Sequence, residues 1–133
     1  MKLGDKNYLE INLLETQNGA YQTGDVLFLI SVSSNGFIAQ SEVWIEKDQL
    51  EIFSNDIIKI DRENTGSAKI LSMSPGEFEL EIKSVGNRGY FSISGQLEKN
   101  ITDVISSLTF QFLIESSYVS QLVNENWVNE NCA

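Results

Sequence analysis

Apolar and polar positions alternate most clearly at residues 77–83, where Phe78, Leu80 and Ile82 interleave with Glu77, Glu79, Glu81 and Lys83. Side chains along a strand project to opposite faces in turn, so this spacing predicts one apolar and one charged face. That is the pattern of a half-buried strand in an antiparallel sheet. Ser74-Pro75-Gly76-Glu77 before it has the chemistry of a type II turn. Proline presets φ at the second position and glycine accepts positive φ at the third, so residues 67–73 supply the partner strand. Gly86-Asn87-Arg88-Gly89 is again turn chemistry, and a strand over 90–97 follows in which Phe91, Ile93 and Leu97 share a face. Gly95 interrupts that face and is expected at a bulge or sharp bend. Residues 105–115 place Leu108, Phe110, Phe112 and Ile114 opposite Thr109, Gln111 and Glu115. Short connections favour pairing between neighbours in sequence, so residues 66–115 read as a four-strand meander.

The N-terminal part carries the same period. Leu9, Ile11 and Leu13 alternate with Glu10, Asn12 and Leu14 in a strand over 7–15, and a polar, glycine-containing loop over 16–24 follows. Residues 26–32 are apolar on both faces and predict a strand covered on both sides. Asn35-Gly36 tolerates positive φ at both positions and marks a tight hairpin. The return strand, 37–46, turns Val43 and Ile45 one way and Glu42, Trp44 and Glu46 the other.

At residue 47 the period lengthens to that of a helix. Leu50, Phe53, Ile57 and Ile60 fall on one face of a helix over 47–63, widened by Ile52 and Ile58. Asp48 and Glu51 offer a capping-box-like start, and Asn64-Thr65-Gly66 ends the helix. A terminal helix over 116–128, capped by Ser116 or Ser117, presents Val119, Leu122, Val123 and Trp127. Trp127 is expected at the edge of the core, and the tail beyond it is expected to fray. The pattern therefore predicts one α+β domain over 1–133. Three strands (1–46), a helix (47–63), the meander (66–115) and the terminal helix (116–128) make up an antiparallel sheet of about seven strands. The sheet curves toward a barrel or sandwich, with the two helices packed on it.

Charge changes the picture of function. Nineteen acids against nine bases give a net charge of −10. Such a balance opposes direct binding of nucleic acid or an anionic membrane and suits a solvated surface or a basic partner. There is no histidine, which removes Ser-His and Cys-His nucleophile pairs, histidine zinc sites and the usual general base. One cysteine, Cys132, forms neither an intrachain disulfide nor a thiolate metal site. No phosphate loop or calcium loop is present, so no cofactor or metal is expected. The chain opens without the apolar run of a signal peptide, and no stretch reaches transmembrane length. The expected location is therefore the cytoplasm.

Carboxylates are the chemistry that survives this subtraction. Glu77, Glu79 and Glu81 project from one strand face about 6–7 Å apart, a spacing open to glycosidase-type acid catalysis. A solvated face is the stronger reading, because nothing in the sequence buries one of the three. Trp44 stands between Glu42 and Glu46. It either packs under the following helix or anchors an interface within an acidic patch.

Several of these segments together resemble a family of small bacterial proteins, the WapI-like immunity proteins, partners of secreted wall-associated toxins. The resemblance rests on Val43-Trp44-Ile45-Glu46-Lys47-Asp48-Gln49-Leu50 through Phe53, then Gly66-Ser67-Ala68-Lys69-Ile70 and Met73-Ser74-Pro75-Gly76-Glu77-Phe78-Glu79-Leu80. It continues through Gly89-Tyr90, Gly95-Gln96-Leu97 and Leu108-Thr109-Phe110-Gln111-Phe112 to Ser117-Tyr118. It implies a non-enzymatic role: binding a cognate toxin domain, a nuclease in the simplest case, and holding it inactive by electrostatic occlusion. Glu42, Glu46, Glu77, Glu79 and Glu81 are the expected binding residues, with Trp44 as anchor. A small-ligand barrel is the alternative. Edge strands leave room for a homodimer.

Overall fold

The computed structural model describes residues 1–17, 24–86 and 89–132. The expected turn residues Asn87 and Arg88, and residues 18–23 of the expected loop, lie outside the described residues. Strands β1 (Lys2–Gly4), β2 (Tyr8–Thr16), β3 (Val26–Ser34) and β4 (Phe37–Ile45) form one antiparallel sheet in sequence order. Strands β5 (Ser67–Leu71), β6 (Phe78–Ser84), β7 (Tyr90–Ile101) and β8 (Val104–Glu115) form a second. Helix α1 (Lys47–Glu63) joins the two sheets, and α2 (Ser116–Leu122) and α3 (Asn126–Asn131) end the chain.

The α+β class holds, but the expected single sheet of about seven strands is two sheets of four. The helix carries the chain away from β4, so β4 and β5 do not pair, and each half closes as its own meander. The additional strand, β1, is three residues long, too short to show a period. No ladder joins the two sheets among the described residues, so the barrel alternative gives way to an open two-sheet arrangement.

One core serves both sheets. Leu9, Phe28, Ile30 and Val43 from the first sheet and Ile70, Leu80, Ile82, Ile93 and Phe112 from the second belong to the same cluster. The α1 face Leu50, Phe53, Ile57 and Ile60 enters it as the spacing predicts, while Ile52 stays exposed. In β3 the two-sided cover is partial: Leu27 and Leu29 are half-buried, whereas Ser31 and Ser33 are buried.

Local turn chemistry is obeyed. Asn35 (φ 52°) and Gly36 (φ 84°) make the two-residue hairpin turn between β3 and β4. Gly76 has φ 82°, and the Glu77 N–H donates to the Ser74 carbonyl at 3.2 Å, as a type II turn requires. Neither Asp48 nor Ser116 caps its helix; Glu46 and Glu115 precede α1 and α2 with no side-chain cap bond. The Lys47 N–H is met instead by Asp25 Oδ1 at 3.0 Å, a cap supplied from before β3. At its other end α1 stops at Asn64 (φ 57°), whose N–H donates to the Ile60 carbonyl at 2.8 Å.

Four further expectations are corrected. Gly95 is no bulge, because its strand keeps register with β6 and β8. A Cβ there would meet the Glu79 carbonyl oxygen and come 2.9 Å from Phe110 Cζ, so glycine lets backbone and ring approach. β7 and β8 run four and one residues past their expected ends and meet at Thr102 (φ 50°) and Asp103 (φ 63°), a two-residue turn without glycine. The terminal helix is broken after Leu122. At the break the Asn124 side-chain amide donates to the Ser120 carbonyl, while the backbone N–H groups of Asn124 and Glu125 donate to the Gln121 and Leu122 carbonyls in place of continuing the α-helical bonds. The tail does not fray at Trp127. Its ring is 5 % exposed, with its centroid 5.0 Å from that of Phe28 and 6.2 Å from that of Phe53, and Val128 is buried beside it.

Candidate functional site

Three backbone segments from both sheets meet at one corner. The Met73 N–H donates to the Trp44 carbonyl at 2.8 Å, which ties the β5–β6 connection to the end of β4. The same connection is tied to β7: the Glu98 N–H donates to the Glu77 carbonyl at 2.8 Å, and Gln96 Nε2 donates to the Gly76 carbonyl at 3.1 Å. Between these anchors opens a cleft of about 550 Å³. Glu42, Gln40 and Ser41 of β4 and Leu29 of β3 line one side; Ser74, Pro75 and Glu77 line another; Glu98, Lys99, Asn100 and Ile101 of β7 complete it.

The cleft is electrostatically lopsided, with three glutamates and one lysine on its walls. Burial pushes the Glu77 carboxyl above the usual range, a hydrogen bond with Ser74 pulls it back, and the charge of Glu98 pushes it up further. A cation entering the cleft would offset the repulsion between the two carboxylates. The ion pairs among the described residues are Lys47–Glu51, Arg62–Glu63, Lys69–Glu81 and the Met1 ammonium with Glu125. None of them neutralises Glu42, Glu77 or Glu98.

An apolar hollow of about 240 Å³ adjoins the cleft and shares Gln40 and Lys99 with it. Its walls include Phe37, Ile38, Leu97 and Leu108. Phe37 and Ile38 are 69 % and 72 % exposed at the start of β4, next to the hairpin that turns the chain back. Large exposed apolar side chains thus stand on the margin of the acidic cleft.

Of the residues singled out in the sequence, the fold brings Glu42 and Glu77 together. Glu79 and Glu81 stay on the outward face of β6; Glu81 is 3.5 Å from Lys69 Nζ, and Glu79 stands opposite Gln96. Glu77 precedes β6 and enters the cleft, so the row of three glutamates is divided. Glu46 is exposed just before α1. Trp44 is half-buried opposite Leu27 and lines neither hollow. Glu98, Phe37 and Ile38 were not singled out in the sequence. For Glu98 the available signal was the continued alternation of Gln96, Glu98 and Asn100 beyond the expected end of β7.

Among the described residues no cluster of three or more histidine, cysteine or acidic side chains could hold a metal ion, and no helix is long and apolar enough to cross a membrane. Comparison with protein-family models, curated proteins and solved structures finds no match to this chain.

Proposed function

We propose that this protein is an immunity-type inhibitor that docks its acidic cleft on the basic, phosphate-holding surface of a toxin domain that cuts nucleic acid. The observation that carries this reading is the convergence of Glu42, Glu77 and Glu98 in one open cleft of a chain with net charge −10. Basic nucleases concentrate cations where they hold phosphate, and an acidic partner is steered onto that patch and covers it. Phe37 and Ile38 supply the desolvated anchors that charge alone does not. Glu46, Glu79 and Glu81 extend the acidic field, and Trp44 lies on the same face of β4 as Glu42, two residues on. In this reading the protein acts in the cytoplasm of the toxin-producing cell, binds no cofactor and catalyses nothing.

The test is titration calorimetry against the C-terminal domain of a large secreted toxin encoded beside it, at low and high salt. Tight binding that weakens with salt is expected. Glu42→Lys, Glu77→Lys and Glu98→Lys together should weaken it by at least about tenfold, or 1.4 kcal/mol, as should Phe37→Ala by itself. Absence of binding at both salts, or binding indifferent to the charge reversals, would end this reading.

One observation favours a second reading. Glu77, whose proton affinity is raised by burial and by the charge of Glu98, shares the cleft with Glu98, and two carboxyl groups in one cleft are what a carboxylate-based hydrolase uses for acid and nucleophile or base. Hydrolysis of a glycoside that Glu77→Gln abolishes would support it. The ligand-carrier alternative draws no comparable support, since Phe28, Phe53, Phe78 and their neighbours fill the interior.

A further inference from the structure

The four sheet edges are not alike. β1 is three residues long, and β5 is five residues long, bears Lys69 and lies against α1. β4 carries Glu42, and its Trp44 carbonyl is already engaged by Met73. β8 is twelve residues long, holds unbroken register with β7, and contains no proline and no bulge. Residues 104–114 carry no charge at all, in a chain of net charge −10. Natural sheets protect long edges with charge, proline or bulges, and β8 has none of these along that stretch.

The hairpin geometry shows which groups are open. A two-residue turn makes Ile101 and Val104 a hydrogen-bonded pair, so alternate residues from Val104 onward direct their backbone groups to β7. Ile105, Ser107, Thr109, Gln111 and Leu113 therefore direct theirs outward. Among the described residues none of these five makes a backbone hydrogen bond on that side, and all five are exposed, Ile105 at 61 % and Leu113 at 57 %.

We propose that the protein self-associates through this edge, with β8 pairing antiparallel to β8 of a second copy about a two-fold axis at Thr109. The order of the five outward residues commits the edge to that occupant. Ile105 falls opposite Leu113 of the second copy, Ser107 opposite Gln111, and Thr109 opposite itself. The row is thus a palindrome of polarity, apolar against apolar and polar against polar, and threonine pairs are favoured across strands. Two copies of like charge can meet closely only along an uncharged strip, whereas a basic partner gains nothing there and is drawn to the acidic cleft instead. The paired strands join two four-stranded sheets into one of eight. Asp103 and Glu115 lie at the ends of the strip and would face each other across the junction, so salt tightens this association while it weakens a docked basic toxin.

The experiment is sedimentation velocity on the full chain across a concentration series at low and high salt. The expected result is a species of twice the chain mass, more populated at high salt. Thr109→Lys sets two ammonium groups against each other on the axis and should raise the dissociation constant at least tenfold, with an unchanged circular dichroism spectrum. In a Cys132→Ser background, with oxidised glutathione as the two-electron oxidant reduced to two thiols, Thr109→Cys should form a disulfide-linked dimer, because paired residues at this distance fit disulfide geometry. Gln111→Cys, facing Ser107 of the second copy, should not. A monomer at every concentration and salt overturns the proposal, as does equal cross-linking by the two cysteine variants. Loss of toxin binding in Thr109→Lys without any dimer would mean that the edge takes a strand of the toxin, and would overturn it too. Dimerisation does not depend on the toxin reading, and the opposite salt responses keep the two failures apart.

Discussion

Ser54 offers a direct test of the packing around α1. It lies on the buried side of the helix with no exposure, and among the buried side-chain oxygens and nitrogens of the described residues its Oγ has no hydrogen-bond partner. A hydroxyl held dry and unpaired costs about 1–3 kcal/mol. Ser54→Ala removes that cost and adds about 0.5 kcal/mol of helix propensity. Against this stands the void left by one oxygen, smaller than a methyl and worth about 1 kcal/mol or less. The balance is a gain of about 1.5 kcal/mol, which for a domain of this length raises Tm by about 5 °C. Guanidinium unfolding followed by tryptophan fluorescence reads the change well, because Trp127 stacks on Phe53 one position before Ser54. The midpoint should rise with an unchanged slope. A variant less stable than the parent by 1 kcal/mol or more would refute the reasoning. It would mean that the hydroxyl is satisfied, by back-bonding to the Leu50 carbonyl or by a buried water.

Three other outcomes follow from the same geometry. Gly95→Ala drives a methyl into the Glu79 carbonyl and the Phe110 ring and should cost about 1–3 kcal/mol in thermal or urea unfolding; a neutral result would mean that β6 and β7 separate more freely than their register implies. Replacing Thr102-Asp103 by Asn-Gly relieves a β-branched residue at φ 50° and should stabilise the chain by about 1 kcal/mol, measured in urea. Glu77→Gln should stabilise the protein at pH 7. The folded-state proton affinity of Glu77 is raised, so its contribution to stability is fully present below about pH 4 and is lost as pH rises through the folded value. The advantage of the variant should therefore vanish in acid; an advantage that persisted below pH 4 would assign it to something other than the charge.

What could be read from the sequence was what neighbours in the chain decide among themselves. The α1 face of Leu50, Phe53, Ile57 and Ile60, the turns at Asn35-Gly36 and Pro75-Gly76, and the alternation through β6 depend on local periods and backbone preferences, and they lie where the pattern puts them. The same local evidence misassigned Gly95, because a glycine required by a cross-strand approach resembles one required by a bulge until the Phe110 ring is in place. It also missed the Thr102-Asp103 turn, whose positive φ values are imposed by the two long strands rather than chosen by its residues. Tertiary structure alone decided that the strands divide into two sheets, since a hydrophobic period says which face is buried but not against what. It alone gathered Glu42, Glu77 and Glu98, which are far apart in sequence and meet because backbone bonds from Trp44 to Met73 and from Glu77 to Glu98 draw a corner of both sheets together. The acidic excess was legible from the first count of residues. The meeting of three of those acids in a cleft beside Phe37 and Ile38 arises from the way two separate meanders are packed on one core.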